Sequence, residues 1–277
     1  MQIKPLSSSL DPAKTGQLIF VGTGIQLAGQ IGKLSESYIQ RADVVFSLVP
    51  DGFAQRWLHT LNNDVRSLQP YYAQNGETKN RRDTYQQMVD VIITEVNANK
   101  KVVCALYGHP GVFSCVSHMA IEQARLEGFT AKMLPGVSAE ACLWADLGID
   151  PGRCGHQSYE ATQFMLYLHQ PDTSAHLVLW QIALAGEYTL TQFGTTKAKI
   201  QLLVDHLSQW YSLEHKVAIY EAANLAVHAP RIEWVKLADL VHVALTTIST
   251  LLIPPSKALS LNYDMLAKLA ITETDLG

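Results

Sequence analysis

A strand-to-helix junction rich in glycine and proline constrains the fold of this chain more than any other feature. Residues 102–106 form an apolar run typical of a buried strand, and they lead into the sequence Tyr-Gly-His-Pro-Gly-Val-Phe at residues 107–113. Residues 115–126 then follow the pattern of a helix. Gly and Pro at such a junction leave bare backbone at the carboxyl edge of a sheet, where open α/β folds bind ligands. The junction predicts either a ligand-binding loop or an ordinary turn.

Two further loops of this kind follow predicted strands in the first half of the chain. The apolar run at residues 18–21 ends in Gly22, Thr23 and Gly24, and the run at residues 131–134 ends in a Pro-Gly pair. Strands and helices alternate throughout this region, which predicts a mostly parallel sheet covered by helices on both faces. Because parallel strands end at the same edge, the three loops are expected to converge there, and together they favour a binding site.

A second domain is predicted after a Pro- and Gly-containing linker at residues 148–155. Its apolar runs, together with a shorter antiparallel strand, predict a mixed sheet in an α/β domain. These strands are expected at residues 177–182, 217–221, 231–235 and 248–253. The predicted organisation is an N-terminal extension (1–16), an α/β cofactor-binding domain (17–150), a C-terminal α/β domain (156–256) and a short tail (257–277) with one possible helix at 263–270.

Composition excludes several classes of function. The net charge of −4 provides no general attraction to nucleic acid or to an anionic membrane surface. The longest apolar runs are too short to span a bilayer, and the histidines lack the spacing of metal ligands. The four cysteines form no C-x-x-C pair, and three of them lie among apolar residues, which indicates buried free thiols and a reducing cytoplasm.

The three loops, taken in this order, resemble those of the two-domain tetrapyrrole methylase family of S-adenosylmethionine (SAM)-dependent methyltransferases. The opening at residues 21–24 and the segment Tyr-Ile-Gln-Arg-Ala-Asp-Val-Val-Phe at residues 38–46 are similar to the start of that family. Three motifs depart from its usual form. Where the family usually has a Gly-Pro-Gly-Asp turn, Ile25 and Gln26 follow the second glycine here. Gly-His-Pro at residues 108–110 replaces Gly-Asp-Pro, and Pro-Gly-Val-Ser-Ala at residues 135–139 replaces Pro-Gly-x-Ser-Ser.

These departures are similar to one branch, the borosin peptide backbone α-N-methyltransferases. The matching stretches lie between about residues 17 and 256 and are long and specific; they comprise residues 71–72, 75–76, 81–85, 107–113, 135–140, 145–147, 149–151 and 249–255. Fungal borosin enzymes carry their substrate peptide at the C-terminus. Here the chain ends soon after Pro255 without a repetitive Val/Ile/Gly core, so the resemblance is closer to split, bacterial-type members. It implies a separate precursor peptide as the substrate.

The resemblance assigns catalysis to Tyr72, Arg81 and Tyr85. Arg81 and Tyr85 are four apart at the start of a predicted helix, clearest over residues 83–96, so they share a face. An amide nitrogen is a poor nucleophile because its lone pair is delocalised into the carbonyl, so its proton must leave as the methyl group arrives. Arg81 would polarise the amide oxygen, Tyr72 is the candidate base, and Tyr85 would orient or share the proton. A nearby cation is expected to lower the pKa of a phenol, which would help Tyr72 to act. Which tyrosine is the base stays open.

The resemblance also assigns a site for SAM, which would leave as S-adenosylhomocysteine, between the two domains. The assigned residues are Gly22, Thr23, Gly24, Tyr107, His109, Val112, Phe113, Ser138, Ala139, Gln181, Ala222, Ser249 and Thr250. Several of these positions would also suit ordinary structural roles, such as a turn residue at His109 or a buried, hydrogen-bonded Gln181. No metal is expected.

The family further implies an intertwined homodimer that forms a heterotetramer with its precursor peptide. The segment at residues 62–82 is long and polar and lacks a clear partner in its own domain, and it is expected to arch over the site of the neighbouring subunit. Two other functions stay open: a small-molecule methyltransferase of the tetrapyrrole type, and a module that binds a peptide without catalysis. A cation beside two phenols argues against the last, because binding alone does not need that arrangement.

Overall fold

The computed structural model describes residues 14–73 and 78–276, so part of the predicted N-terminal extension and the Asn75-Gly76 pair lie outside the described residues. The chain divides into two units. The first comprises the described residues up to Gly148 together with Tyr188–Gln192 and Ala222–Arg231. The second comprises Ile149–Glu187, Phe193–Glu221 and the described residues from Ile232 onward.

The first unit is built on a five-stranded sheet in the order β3-β2-β4-β1-β5. The strands are β1 (Gln17–Gly22), β2 (Val44–Leu48), β3 (Val65–Ser67), β4 (Lys101–Leu106) and β5 (Thr130–Met133). All of the neighbouring strands in this order pair in parallel. Their carboxyl ends therefore lie at one edge, as the sequence predicts.

Helices cover both faces of this sheet. They are α1 (Lys33–Gln40), α2 (Gly52–Leu61), α3 (Arg81–Asn97), α4 (Cys115–Leu126) and α5 (Ala139–Leu147). Successive residues of β1 point to opposite faces: Leu18 packs in a core with Ile92 of α3, whereas Ile19 packs in a second core with Leu58 of α2. Because both faces are buried, β1 and β4 are continuous apolar runs rather than alternating ones.

The second unit carries a mixed five-stranded sheet in the order β6-β7-β10-β8-β9. The strands are β6 (His156–Glu160), β7 (His176–Trp180), β8 (Lys216–Glu221), β9 (Arg231–Lys236) and β10 (Thr250–Ile253). β6 pairs in parallel with β7, whereas β10 runs antiparallel to β7 and to β8. The helices are α6 (Ala161–Leu166), α7 (Lys197–Leu207) and α8 (Tyr263–Leu269). Short 3₁₀ helices occupy Gln69–Tyr71, Ile182–Leu184, Leu237–His242 and Glu273–Leu276.

These two sheets confirm the predicted fold class: a parallel sheet, a mixed sheet, and helices between the strands. The sequence did not predict β3, α2 or β6. β3 corrects one premise about residues 62–82: this stretch was expected to lack a partner in its own domain, yet Val65 pairs with Val45 and Leu68 is fully buried. In the described part of the chain, no helix combines the length and apolar character needed to cross a bilayer.

Candidate active site

The three glycine loops of the first unit meet at the carboxyl edge of its sheet. A Cβ atom added at Gly22 would lie 2.3 Å from the Gly108 carbonyl oxygen and 2.9 Å from the Gly136 Cα. Gly24 forms an isolated bridge with Gly108. Glycine is therefore required here because the loops approach one another backbone to backbone, which is a structural role distinct from close approach to a ligand.

The residues after β1 are held by the chain itself. Thr23 is buried, and its hydroxyl donates to the Leu106 carbonyl oxygen at 3.2 Å. Gly24 has a φ of 74°, and an added Cβ would lie 2.4 Å from the Cβ of Gln30. Gln30 in turn accepts from the Ile25 backbone N–H at 2.8 Å. This packing accounts for Thr23 and Gly24 without a ligand, so their predicted role at the cofactor stays a prediction.

The loop at residues 107–113 presents groups suited to a nucleoside-like ligand. Burial raises the pKa of Tyr107 to about 12, so its phenol is a neutral hydrogen-bonding group at physiological pH. The His109 Nδ1 accepts from the Gly111 N–H at 3.0 Å, which leaves the proton of a neutral ring on Nε2 as a donor. Val112 and Phe113 are 46% and 50% exposed, and Phe113 has a φ of 51°. A left-handed backbone at a bulky residue is strained and is typical of functional loops.

Ser138 and Ala139 begin α5. Ser138 is its N-cap, and its side-chain oxygen accepts from the Ala141 N–H at 3.4 Å, so the hydroxyl hydrogen stays available for donation. Next to them, Val137 and Ala222 line a cavity of about 220 Å³ within the first unit. Other residues lining this cavity are Gln26, Gln30, Cys142 and Asp146. Ala222 is thus brought to the loop that precedes α5.

In the second unit, Gln181 and Ser249 are brought together at the ends of antiparallel strands. Leu179 of β7 pairs with Leu251 of β10, and three residues after Leu179 the Ile182 N–H donates to the Ser249 carbonyl oxygen at 3.3 Å. Gln181 has a left-handed backbone with a φ of 56°. It is thus the second strained residue among the positions predicted to bind the cofactor.

Ser249 and Thr250 are both buried at this end of the second sheet. The Ser249 hydroxyl donates to the Glu221 carboxylate at 2.5 Å, and the Thr246 hydroxyl donates to the same oxygen at 2.9 Å. The Thr246 N–H donates to the Ser249 side-chain oxygen at 2.8 Å. Glu221 thus orients the serine hydroxyl, and no sequence motif pointed to that role.

Tyr72, Arg81 and Tyr85 form a single cluster in the first unit. The rings of Tyr72 and Tyr85 lie edge to face with centroids 6.3 Å apart, and their hydroxyls are hydrogen-bonded. Arg81 also hydrogen-bonds to Tyr85. Arg81 is the first residue of α3 and is buried, with Asn80 as the N-cap. Placing Arg81 and Tyr85 four apart on one helix puts them on one face, as the sequence predicts.

Burial dominates the electrostatics of this cluster. Burial raises the pKa of Tyr72 well above its usual range, and the neighbouring Tyr85 raises it further, while Arg81 lowers it by less. Burial also raises the pKa of Tyr85, which its hydrogen bonds to Tyr72 and Arg81 oppose. Arg81 thus lowers the pKa of Tyr72 as expected, but the net shift is upward because removal from water outweighs the charge of Arg81.

Cys115 is a neighbour of the cluster that the sequence did not predict. Its thiol interacts electrostatically with Tyr72, Tyr85 and Arg81. Cys115 is the first residue of α4 and is exposed, whereas the sequence favoured a buried thiol. Partial burial of the sulfur nonetheless raises its pKa above the usual range. Among residues 14–73 and 78–276, no group of three His, Cys, Asp or Glu side chains could hold a metal ion.

A family comparison covers most of the chain. Residues 17–238 match the model of the tetrapyrrole (corrin/porphyrin) methylases. Two solved structures of low sequence identity share the fold. A uroporphyrin-III-C-methyltransferase from Thermus thermophilus has a TM-score of 0.61 at 15% identity, covering 94% of this chain and 98% of that one. A diphthine synthase has a TM-score of 0.57 at 14% identity, with the same coverage.

Fungal proteins provide the sequence relatives. A methyltransferase/ribosomally synthesized type I borosin cyclic peptide precursor from Coprinopsis marcescibilis is 38% identical over 94% of this chain and 68% of its own length. The lentinulin A precursor from Lentinula edodes is 39% identical over 92% of this chain, and the omphalotin A precursor from Omphalotus olearius is 38% identical over 93%. The chain spans 62% of the length of each of these last two. The resemblance to the borosin methyltransferases and to the tetrapyrrole methylase family is confirmed, whereas the closer likeness to split, bacterial-type members stays a prediction.

Proposed function

This chain belongs to the tetrapyrrole methylase family of SAM-dependent methyltransferases, and from that premise we propose that it N-methylates backbone amides of a ribosomally made peptide on a separate chain. The single observation that carries the proposal is the cluster of Tyr72, Arg81 and Tyr85, in which the arginine is buried and both tyrosines are partly buried. The names of its relatives, each of which joins a methyltransferase to a cyclic peptide precursor, support a peptide as the substrate.

The proposed substrate explains why a cation and two phenols are needed. When a peptide amide loses its N–H proton, negative charge spreads onto its oxygen. A guanidinium supplies fixed charge and several donors to such an oxygen, and Arg81 is held rigidly because it is buried at the start of α3. SAM, when bound, supplies an electrophilic methyl group on a sulfonium. The remaining task of the protein is to position the amide and remove its proton.

The hydrogen bonds of the cluster support different roles in proton transfer for the two tyrosines. The bond between them raises the pKa of Tyr72 and lowers that of Tyr85, as expected if Tyr72 donates and Tyr85 accepts. Arg81 lowers the pKa of Tyr85 as well. Burial raises the pKa of both phenols, but negative charge is therefore less costly on the Tyr85 oxygen than on that of Tyr72. In the proposed reaction, Tyr72 accepts the amide proton while it passes its own proton to a Tyr85 phenolate that Arg81 stabilises.

The residues proposed to bind SAM are found in both units. In the first unit, Tyr107, His109 and Ser138 offer polar groups, and the exposed Val112 and Phe113 offer apolar contacts. In the second unit, Gln181 offers a further polar group, and Ser249, whose hydroxyl already donates to Glu221, is proposed to line the site. The remaining proposed residues are Gly22, Thr23, Gly24, Ala139, Ala222 and Thr250.

A homodimer, a heterotetramer with the precursor peptide and a cytoplasmic location complete the proposal. Exposed apolar residues support an oligomer, and the absence of a disulfide among the four described cysteines is compatible with a reducing compartment.

The test is the intact mass of peptides after incubation with the protein and SAM. The probes are peptides encoded beside this gene and a synthetic peptide with a helical leader and a Val/Ile/Gly-rich core. We expect stepwise gains of one methylene mass, located on backbone nitrogens by fragmentation. Arg81→Ala should reduce turnover by about a hundred- to a thousandfold, the usual effect of removing one donor to a developing oxyanion.

Arg82→Ala is the matched control, because Arg82 is the next residue of the same helix turn and is exposed. It should leave turnover near that of the wild type, and circular dichroism should show that both variants are folded. Methylation of a tetrapyrrole with no mass gain on any peptide would favour the small-molecule alternative. Peptide binding without methyl transfer would leave only the binding module.

A further inference from the structure

A strained residue distant in sequence holds the N-terminus of α3, which carries Arg81. The Arg81 backbone N–H donates to the Leu190 carbonyl oxygen at 2.9 Å. Leu190 belongs to the short segment Tyr188–Gln192, which packs with the first unit although the chain on either side belongs to the second. Leu190 has a φ of 61°, a left-handed conformation that is rare for leucine.

The hydrogen bond fills a specific gap in the helix. The first four N–H groups of an α-helix have no partner within it. Here the Asn80 side chain accepts from the Arg82 N–H at 2.9 Å, and the Asn80 carbonyl oxygen accepts from the Asp83 N–H at 3.1 Å. The N–H of Arg81 is also one of the four, and it donates to the Leu190 carbonyl oxygen. The direction in which Arg81 leaves the helix is thus set by the segment around Leu190 as well as by the cap.

The two neighbours of Leu190 hold it in its strained conformation. The hydroxyls of Thr189 and Thr191 lie 2.7 Å apart, and the Thr191 N–H donates to the Thr189 hydroxyl oxygen at 3.4 Å. These contacts form a tight local turn around Leu190. Strained backbone persists where the surroundings over-determine it, and it is concentrated at functional sites.

We propose that Leu190, held by Thr189 and Thr191, is a positioning residue that fixes Arg81 against Tyr85 for methyl transfer. This inference rests on the proposed function, since it acts through Arg81. Leu190 touches the backbone of Arg81, so it contributes no catalytic group. Its carbonyl oxygen fixes the start of α3, and so the distance and direction between the guanidinium and the Tyr85 phenol with which it hydrogen-bonds.

Leu190→Ile tests the proposal, because a β-branched side chain strongly disfavours the left-handed conformation. The two side chains have the same number of atoms. A small misplacement of a catalytic group can lower the rate by up to about a hundredfold. We therefore expect the single-turnover rate to fall by about ten- to a hundredfold while the KM for the peptide stays unchanged. The probe is the peptide methylated in the experiment above. Leu190→Asn, which tolerates this backbone, should lose less. Leu202→Ile, at an exposed leucine of α7, controls for the substitution itself.

Two further measurements separate positioning from general destabilisation. Hydrogen exchange of the peptide covering residues 79–84 needs no substrate and should lose protection in Leu190→Ile alone. In an Arg81→Ala background, Leu190→Ile should cause no further loss of rate, because the two changes act on one group. Equal losses in both backgrounds, or unchanged exchange, would overturn the inference. A fully active Arg81→Ala variant would instead overturn the proposed function.

Discussion

At the scale of single residues, Tyr72 shows how burial and charge compete. Arg81 is close enough to lower the pKa of this phenol, yet burial raises it by more. The resting form of Tyr72 is therefore a neutral phenol. A base of this kind acts only as charge develops on the substrate, which matches an amide that cannot be deprotonated outright.

This arrangement predicts how the rate of methylation depends on pH. At pH values below its raised pKa, the fraction of the tyrosine base in the phenolate form grows tenfold with each pH unit. The single-turnover rate should therefore climb from neutral pH without a plateau up to the ordinary phenol range of about 10. Tyr72→Phe should lower the rate by about a hundred- to ten-thousandfold and flatten this rise. A plateau near neutral pH in the wild type would contradict the assignment of a tyrosine base.

At the scale of elements, the ends of β1, β4 and β5 show what the glycine motifs do. The sequence suggested that bare backbone was needed for a ligand. The structure shows that Gly22 and Gly136 are needed for the loops to touch one another. The loop at residues 107–113 is then left to present His109 and Phe113 on its outer side. The glycines thus allow the close contact between loops that positions the candidate cofactor-binding residues.

A substitution at Gly22 should accordingly reduce both stability and cofactor binding. A Cβ atom at Gly22 would lie 2.3 Å from the Gly108 carbonyl oxygen, which cannot move without shifting the loop. We expect Gly22→Ala to lower the free energy of unfolding by about 1–3 kcal/mol, as overpacking does. SAM affinity measured by calorimetry should fall in the same variant.

Gly52→Ala provides the matched control for this prediction. Gly52 is the first residue of α2, and an added Cβ would have no atom within 4 Å. Its free energy of unfolding should stay within about 0.5 kcal/mol of the wild type, as at other open sites. Equal stability of the two variants in urea would show that the loops do not depend on the close approach at Gly22.

At the scale of the whole molecule, the described chain leaves apolar surface uncovered beyond its last strand. α8 has no buried residue, and Tyr263, Met265 and Leu269 are all exposed. Leu259 and Leu261, just before it, are exposed as well. Apolar side chains grouped in this way are typical of a surface that meets another molecule, and the partner that we propose for it is a second copy of this chain.

The expected result is a homodimer in sedimentation experiments at micromolar concentration. Replacing both Tyr263 and Leu269 with serine should shift the protein towards monomer, because it removes apolar area from the proposed interface. Leu126→Ser, at an exposed leucine of α4, should leave the dimer intact. A wild-type chain that sediments as a monomer would refute the homodimer, whereas a dimer that survives the double substitution would place the interface elsewhere.

The sequence by itself determined the fold class, the family and the cluster of Tyr72, Arg81 and Tyr85. Periodicity and turn residues are local signals, so buried strands such as residues 102–106 and the helix that begins near Arg81 can be recognised from neighbours along the chain. The short strand β3 was missed because three residues carry too little periodicity, and β6 was missed because its residues are polar and half-exposed.

Only the tertiary structure decided the properties that depend on residues distant in sequence. The raised pKa of Tyr72 results mainly from burial, to which all the surrounding elements contribute. The approach of Cys115 to the tyrosines and the hydrogen bond from Arg81 to Leu190 join segments that no local pattern connects. Side-chain types indicate the chemistry that a chain can perform, whereas packing sets the solvent exposure, the charge and the geometry under which that chemistry occurs.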